Sequence, residues 1–288
     1  MRNMRLDEIR SAIGGHWLGV PGPESAVAFG VGTDTRAVQR GDLFVALKGE
    51  RFDGHDYLQQ AHDAGAVAAI VNTGTQDIPA GMACIAVSDT LAAYGALARY
   101  HKRTLNNLTT IAVAGSNGKT TTREMIATIL SGRAPVLRNE KNHNNLIGVP
   151  HTLLRVEARH RYAVIEIGTN QPGEIARLAS IVEPNITVLT SIGEEHLEGL
   201  GSIEGVIEEE GAALTALGSR GTAIINFDDP LSLRAREKAR CRVVSTGFDS
   251  RCELYATGII ATQAGTEFRV NDRYRFKLAT YGRHNVSN

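Results

Sequence analysis

The sequence is poor in cysteine, in aromatic residues and in net charge, and each shortage removes a class of protein. Cys84, Cys241 and Cys252 are the only cysteines among 288 residues, an odd number without C-x-x-C spacing. Neither a disulfide framework nor a zinc site is indicated, and the three read as buried small hydrophobes or unreactive thiols. Lys plus Arg and Asp plus Glu both total 31. No charge excess is left to attract a polyanion, and no nucleic-acid partner is expected. No run approaches the roughly 20 apolar residues that span a bilayer, and the opening Met1-Arg2-Asn3-Met4-Arg5-Leu6-Asp7-Glu8 lacks an apolar signal core. The expectation is a cytoplasmic protein without membrane insertion. What is there, 42% hydrophobic and 22% charged residues, is ordinary globular composition in a chain long enough for two domains.

The most informative segment is a β-branched run, Thr110–Ala114, a turn, Gly115-Ser116-Asn117-Gly118, and then Lys119-Thr120-Thr121 opening an amphipathic helix. Gly115 and Gly118 permit the backbone angles that turn successive N–H groups inward, and the helix start adds the positive end of its dipole. Lys119 supplies a mobile cation for outer phosphates, and the Thr120 hydroxyl is placed to ligate Mg²⁺. Val113 stands where the full P-loop pattern has glycine, so the match is to the G-x-x-G-K-T core. The plain alternative is a glycine turn between strand and helix.

Upstream, a helix-like start at Leu6–Ile13, extended runs at Asp42–Leu47, Ala66–Asn72 and Cys84–Ser88, and a helix over Leu91–Tyr100 make a small α/β unit. The polar stretch Lys102–Asn107 places a boundary near residue 106, with one domain over 1–106 and a second over 107–288. Apolar runs then recur at Thr110–Ala114, Tyr162–Ile167, Ile186–Ile192 and Thr222–Phe227, with helical stretches such as Arg123–Leu130 and Gly173–Ile181 between them. Buried parallel strands read this way, and a doubly wound, mostly parallel sheet is expected. In the helix after the turn, Met125, Ile126, Ile129 and Leu130 are expected on one face. Beyond residue 242 polar and apolar residues alternate over Glu253–Ala261 and Glu267–Thr280, with a turn at Asn271-Asp272, as in appended antiparallel strands. The chain stops after Gly282-Arg283-His284-Asn285-Val286-Ser287-Asn288 as if a further domain followed.

Ligands of open α/β sheets bind beyond the carboxyl ends of the strands. Those ends are polar throughout: the glycine turn, Glu166 within Val164–Thr169, Ser191–His196, and Asn226–Pro230. A carboxylate inside an apolar strand is costly to bury alone. Glu166 therefore binds Mg²⁺ or pairs with an arginine. His196 is a second metal ligand, a phosphate contact, or a hydrogen-bonded loop residue. The amides of Asn142-His143-Asn144-Asn145 either hold phosphate oxygens and a nucleophile or shape a turn.

Taken in order, Gly115–Thr121, Asn142–Pro150, Glu166-Ile167-Gly168, His196-Leu197-Glu198-Gly199 and Gly282-Arg283-His284-Asn285 resemble the Mur ligases. Within that family, Thr33-Asp34-Thr35-Arg36 and the stretch Gly41–His55 most resemble the members that add D-alanyl-D-alanine. Members that add the third peptide residue share part of this pattern. The resemblance implies that ATP phosphorylates the terminal carboxylate of UDP-N-acetylmuramoyl-tripeptide, after which the amine of D-alanyl-D-alanine attacks the acyl phosphate. It implies ATP and Mg²⁺ as cofactors, with Gly115, Ser116, Asn117, Gly118, Lys119, Thr120 and Thr121 around the phosphates. It further puts Lys119 on the β- and γ-phosphates, Thr120 on one Mg²⁺, Glu166 and His196 near a second, and Asn145 by the transferring phosphate. His284 and Asn285 fall near the adenine. Thr33, Asp34, Arg36, Phe44, Lys48, Asp53 and His55, with Asn142 and Asn144, fall on the substrate. A monomer is expected.

Two departures stand out. Many relatives carry a carbamylated lysine where this chain has Glu210, which either takes over Mg²⁺ coordination or belongs to a solvated face made by Glu208, Glu209 and Glu210. The family's C-terminal Rossmann-like domain has no motifs here, so the expected behaviour is binding with poor turnover. The competing readings are a folate polyglutamate ligase, which normally lacks the N-terminal domain, and a binding module without catalysis.

Overall fold

The computed structural model describes residues 3–19, 22 and 25–288. Its contacts form two compact units, one of residues up to Asn106 together with Pro150–Ala158, the other of Asn107–Val149 and Arg159–Asn288. Both are α/β.

In the first unit five strands run in the order His16–Leu18, Cys84–Val87, Ala68–Asn72, Leu43–Val45 and Val31–Gly32. All neighbours are parallel except the pair formed by His16–Leu18 and Cys84–Val87. Met4–Arg5 and Val27–Ala28 make a separate antiparallel pair. The observed strands are shorter than the apolar runs because the flanking residues turn away from the ladder. Phe44, Ala69, Val71, Cys84 and Ala86 pack with Leu58 and Ala61 of the helix Leu58–Asp63. Burial in this core pushes the Cys84 thiol up to about 11, so it is unionised at neutral pH. The helix Thr90–Arg103 starts at Asp89, whose carboxylate accepts from the N–H groups of Leu91 and Ala92, and ends on His101, Lys102 and Arg103. Acid at the start and base at the end both suit the helix dipole.

The second unit is one nine-stranded sheet, ordered Tyr274–Leu278, Gly265–Val270, Leu254–Thr262, Arg242–Gly247, Thr222–Asn226, Ile186–Leu189, Thr109–Ala114, Tyr162–Glu166 and Val136–Arg138. The six strands from Arg242–Gly247 to Val136–Arg138 are mutually parallel. Thr109–Ala114, first in the chain, lies centrally, so the strand order reverses beside it. That reversal opens a crevice at its carboxyl end. Leu254–Thr262 continues parallel to its neighbour, and the last two strands are antiparallel. Asn271 and Asp272 both take left-handed backbone angles (φ 51° and 56°), and Arg273 N–H closes the turn on Val270 O. Short polar side chains tolerate that conformation best after glycine.

The helix Lys119–Ser131 covers the sheet with Ile126, Ala127 and Leu130, which join Ile111, Val113, Val164 and Val188 in the core. Ile129 is 69% exposed, a correction to the expected Met125–Leu130 face. At about 100° per residue the inward stripe is 123, 126, 127 and 130, and position 129 lies off it. No described helix is long and apolar enough to cross a membrane.

Candidate functional site

The loop between Ala114 and Lys119 is built for glycine. Gly115 has φ +118° and a Cβ there would stand 2.4 Å from Thr190 Oγ1 and 2.8 Å from Ser191 O; Gly118, at φ +85°, caps the helix. Residues after the strand Ile186–Leu189 hold the loop in place. Ser116 N–H donates to Ser191 O (2.6 Å), Thr190 Oγ1 to Asn117 O (2.7 Å), and Gly193 N–H to Ser116 Oγ (2.9 Å). A 13-residue helix thus presents its free N–H groups at the crevice, the arrangement that binds phosphate.

Lys119 Nζ donates to the carbonyls of Gly115 and Ser116 and lies 3.5 Å from Glu195 Oε1. One residue on, Thr120 Oγ1 donates to Glu166 Oε2 at 2.8 Å. Glu166 ends its strand opposite Val113, which sets its carboxylate beside the loop. It is 3% exposed. Arg123 Nη1 donates to Oε2 (3.1 Å) and Asn144 Nδ2 to Oε1 (3.0 Å). The arginine partner expected as one alternative is therefore present, and the threonine hydroxyl as well. Asn139, fully buried, brackets the same residue: its Oδ1 accepts from Glu166 N–H (2.9 Å) and its Nδ2 donates to Glu166 O (2.8 Å).

Arg123 and Asn139 were not legible as site residues. Arg123 had one signal, since it lies three positions after Thr120 on the same helix face, where an apolar strand's carboxylate would seek a cation. Asn139 had none, because its role is to the backbone of a residue 27 positions away.

Other candidates are engaged in local contacts. Asn145 Oδ1 accepts from the N–H groups of Ile147 and Gly148 at the start of the helix Gly148–Leu154. Asn144 is the amide that reaches the carboxylate. Asn142 is exposed, and so is His196, whose φ of 51° starts a short helix and whose ring makes no hydrogen bond. Among the described residues no group of three His, Cys, Asp or Glu side chains could hold a metal. Thr120 Oγ1 and the Glu166 carboxylate do offer adjacent hard oxygens. That fits Mg²⁺, which binds through one or two carboxylates plus phosphate and water.

Glu208, Glu209 and Glu210 are not a solvated face. Only Glu208 is exposed, paired with Lys238. Glu209 caps another helix, accepting from Gly173 N–H and Ile175 N–H at 2.7 Å each. Glu209→Ala strands one buried donor, Ile175 N–H, and frees a part-buried one, Gly173 N–H, and should cost about 2 kcal/mol, read as a lower urea midpoint, with Glu209→Gln recovering part. Glu210 is fully buried, and its Oε2 accepts from Gly115 N–H at 2.6 Å. Burial, reinforced by Glu195 and Glu209, pushes its carboxyl up to about 7 against the pull of Lys119 and Gly115. A raised acid pKa favours folding fully below the ordinary value near 4.5, and that advantage is lost as pH rises through about 7. Thermal melts in EDTA should show Glu210→Gln gaining about 3 kcal/mol over the parent at pH 8 and little at pH 5.

A cavity of about 620 Å³ adjoins the loop, lined by Asn117, Gly118 and Thr121 on one side and by Phe248, Arg283, His284 and Asn285 on the other. The guanidinium of Arg283 lies 4.1 Å from the Phe248 ring centroid. The sequence-predicted His284 and Asn285 thus meet the glycine turn. In the first unit, Thr33, Asp34, Arg36 and Phe44 line a cavity of about 440 Å³ with Phe52, Tyr57 and Gln60. Arg36 grips Asp34 through Nε (2.9 Å) and Nη2 (2.6 Å), which with the Arg36 N–H holds that carboxyl at about 2. Lys48, Asp53 and His55 are not among the lining residues. Lys48 pairs with Asp53 (3.2 Å), and both His55 nitrogens are engaged, Nδ1 with Asp53 (2.5 Å) and Nε2 with the N–H of Asn72 (2.9 Å). His55 ties the Asp53 loop to the end of the strand Ala68–Asn72.

A glycine loop feeding a helix at the reversal point of a parallel sheet, with lysine, threonine and a strand-end carboxylate around it, defines a P-loop nucleotide-binding domain. Residues 113–288 match the Mur ligase middle domain and residues 29–102 the Mur ligase family catalytic domain. The chain belongs to the Mur ligase family. It is 36% identical over 94% of its length to the UDP-N-acetylmuramoyl-tripeptide–D-alanyl-D-alanine ligase of Bacillus subtilis, covering 59% of that protein. A crystal structure of MurF from Acinetobacter baumannii aligns with all of it at 33% identity and a TM-score of 0.91, 63% of that chain being covered. MurF ligase from Thermotoga maritima in complex with ADP aligns with 89% of it at 29% identity and a TM-score of 0.78, 60% of that chain being covered. The chain spans about three-fifths of the length of these relatives.

Proposed function

We propose that this chain carries the ATP-binding and UDP-substrate-binding parts of a ligase that joins D-alanyl-D-alanine to UDP-N-acetylmuramoyl-tripeptide, acting as a monomer in the cytoplasm. The meeting of Lys119, Thr120 and Glu166 at the loop, beside the cavity that Gly118 shares with His284 and Asn285, is the observation that carries the reading. The relatives' names supply the substrates.

Each residue then has a physical task. The helix N–H groups and Lys119 hold the phosphates, and Arg283, His284 and Asn285 border the cavity open to the base. Thr120 and Glu166 would hold Mg²⁺, which supplies charge neutralisation for phosphoryl transfer when bound. Arg123 and Asn144 fix the Glu166 carboxylate and Asn139 fixes its backbone, so that little reorganisation is needed as charge develops. In the first unit the cavity bordered by Arg36 and Phe44 receives the UDP-sugar end. Asp34 orients Arg36 there.

Calorimetric titration with Mg²⁺-ATP and, separately, UDP-N-acetylmuramoyl-tripeptide tests the reading. Both ligands should bind, each to its own unit. Binding of ATP without the UDP-tripeptide would move the substrate to another ligase, and binding of neither would end the proposal.

A further inference from the structure

The loop occupies its own lysine. The Lys119 side chain is 14% exposed and gives its protons to the carbonyls of Gly115 and Ser116, which carry no full charge. Among the described residues Glu195 is the one carboxylate within ion-pair distance of it. Its Oε1 is buried, accepts no hydrogen bond, and stands 3.5 Å from Nζ. That separation exceeds a charge-assisted hydrogen bond, so the attraction is coulombic. Lys119 is also the single ion-pair partner of Glu195 among the described residues. Behind the pair, Glu210 feels both of them from its buried place under Gly115.

We infer that Glu195 is a positioning residue that competes with nucleotide phosphates for the Lys119 ammonium and so lowers the affinity of the loop for polyphosphate. This rests on the nucleotide site proposed above. Phosphate arriving at the helix N-terminus must draw Lys119 from its present partners, and it brings negative charge toward a carboxylate that has no other cation. Both effects oppose binding, and both are greatest for a nucleotide without Mg²⁺. The same attraction keeps the lysine within the loop when no nucleotide is bound, instead of extended into solvent.

The test is calorimetric titration of ADP in EDTA into the parent chain and Glu195→Gln, at about 50 mM and about 500 mM salt, with melting temperatures recorded for both. Glutamine keeps the shape and removes the charge. The variant should bind about five- to tenfold more tightly at the lower salt, and the gap should close toward twofold or less at the higher, because screening weakens a charge effect and leaves a packing effect alone. Glu195→Ser should shift affinity in the same direction. Equal or weaker binding by both variants, with the parent binding normally, overturns the inference and leaves the nucleotide site standing. Absence of ADP binding in the parent and both variants overturns the nucleotide site and this contact with it.

Discussion

Glu166→Ala should destabilise the second unit by about 3 kcal/mol, the lower end for breaking a buried ion pair. The loss is mostly the stranded partners. Arg123 is 3% exposed and keeps only Glu124 as a charged neighbour, at 2.7 Å, while the Thr120 hydroxyl and the Asn144 amide each lose an acceptor. Arg123→Met should cost a comparable amount by leaving the Glu166 carboxylate without its cation. Because each variant's penalty is the other's orphaned charge, Glu166→Ala combined with Arg123→Met should be milder than the sum of the two. Urea unfolding of the four proteins measures this. Additive losses would mean that the two side chains do not act as a pair.

Lys119→Ala should weaken ATP binding at least a hundredfold, about 3 kcal/mol, as expected for truncating one partner of a desolvated charge contact. Binding of the UDP-tripeptide should be unchanged. The asymmetry is the informative part, since a variant that merely misfolded would lose both ligands. The Lys119 ammonium meets two carbonyls and Glu195. Its removal leaves Glu195 and Glu210 with less opposing charge, so a modest fall in melting temperature, larger at pH 8 than at pH 5, should accompany the lost affinity.

The parallel sheet was legible because its strands are continuous apolar runs, and the glycine turn was legible because Gly115 and Gly118 are needed for conformation and space. His284 and Asn285 came from family resemblance alone. Strand ends were overextended by one to three residues, as at Ile186–Ile192, where the ladder stops at Leu189 and Thr190 instead reaches across to Asn117 O. The short edge strand Val136–Arg138 and the strand Arg242–Gly247 carry too little apolar sequence to announce themselves. The site's internal contacts were less legible. His55, Glu209 and Glu210 accept from backbone N–H groups 17 or more positions away, in places the linear sequence does not name. A polar residue near a motif reads as a ligand contact until the fold shows which orphaned donor it serves.

The first unit is discontinuous: Pro150–Ala158 belongs to it, and His101 Nε2 is 2.8 Å from the carbonyl of Val156. Seen from the ribosome, this fixes an order of events. A nascent chain that has emerged only to residue 106 lacks nine residues of its first unit, including the buried Leu153, Leu154 and Val156. That unit can close only after the glycine loop, its helix and the strand Val136–Arg138 have also left the tunnel. Arrested chains in which residue 158 is still inside the tunnel and chains in which it has cleared the exit should therefore differ sharply in resistance to protease, although the apolar runs of the first hundred residues are outside in both.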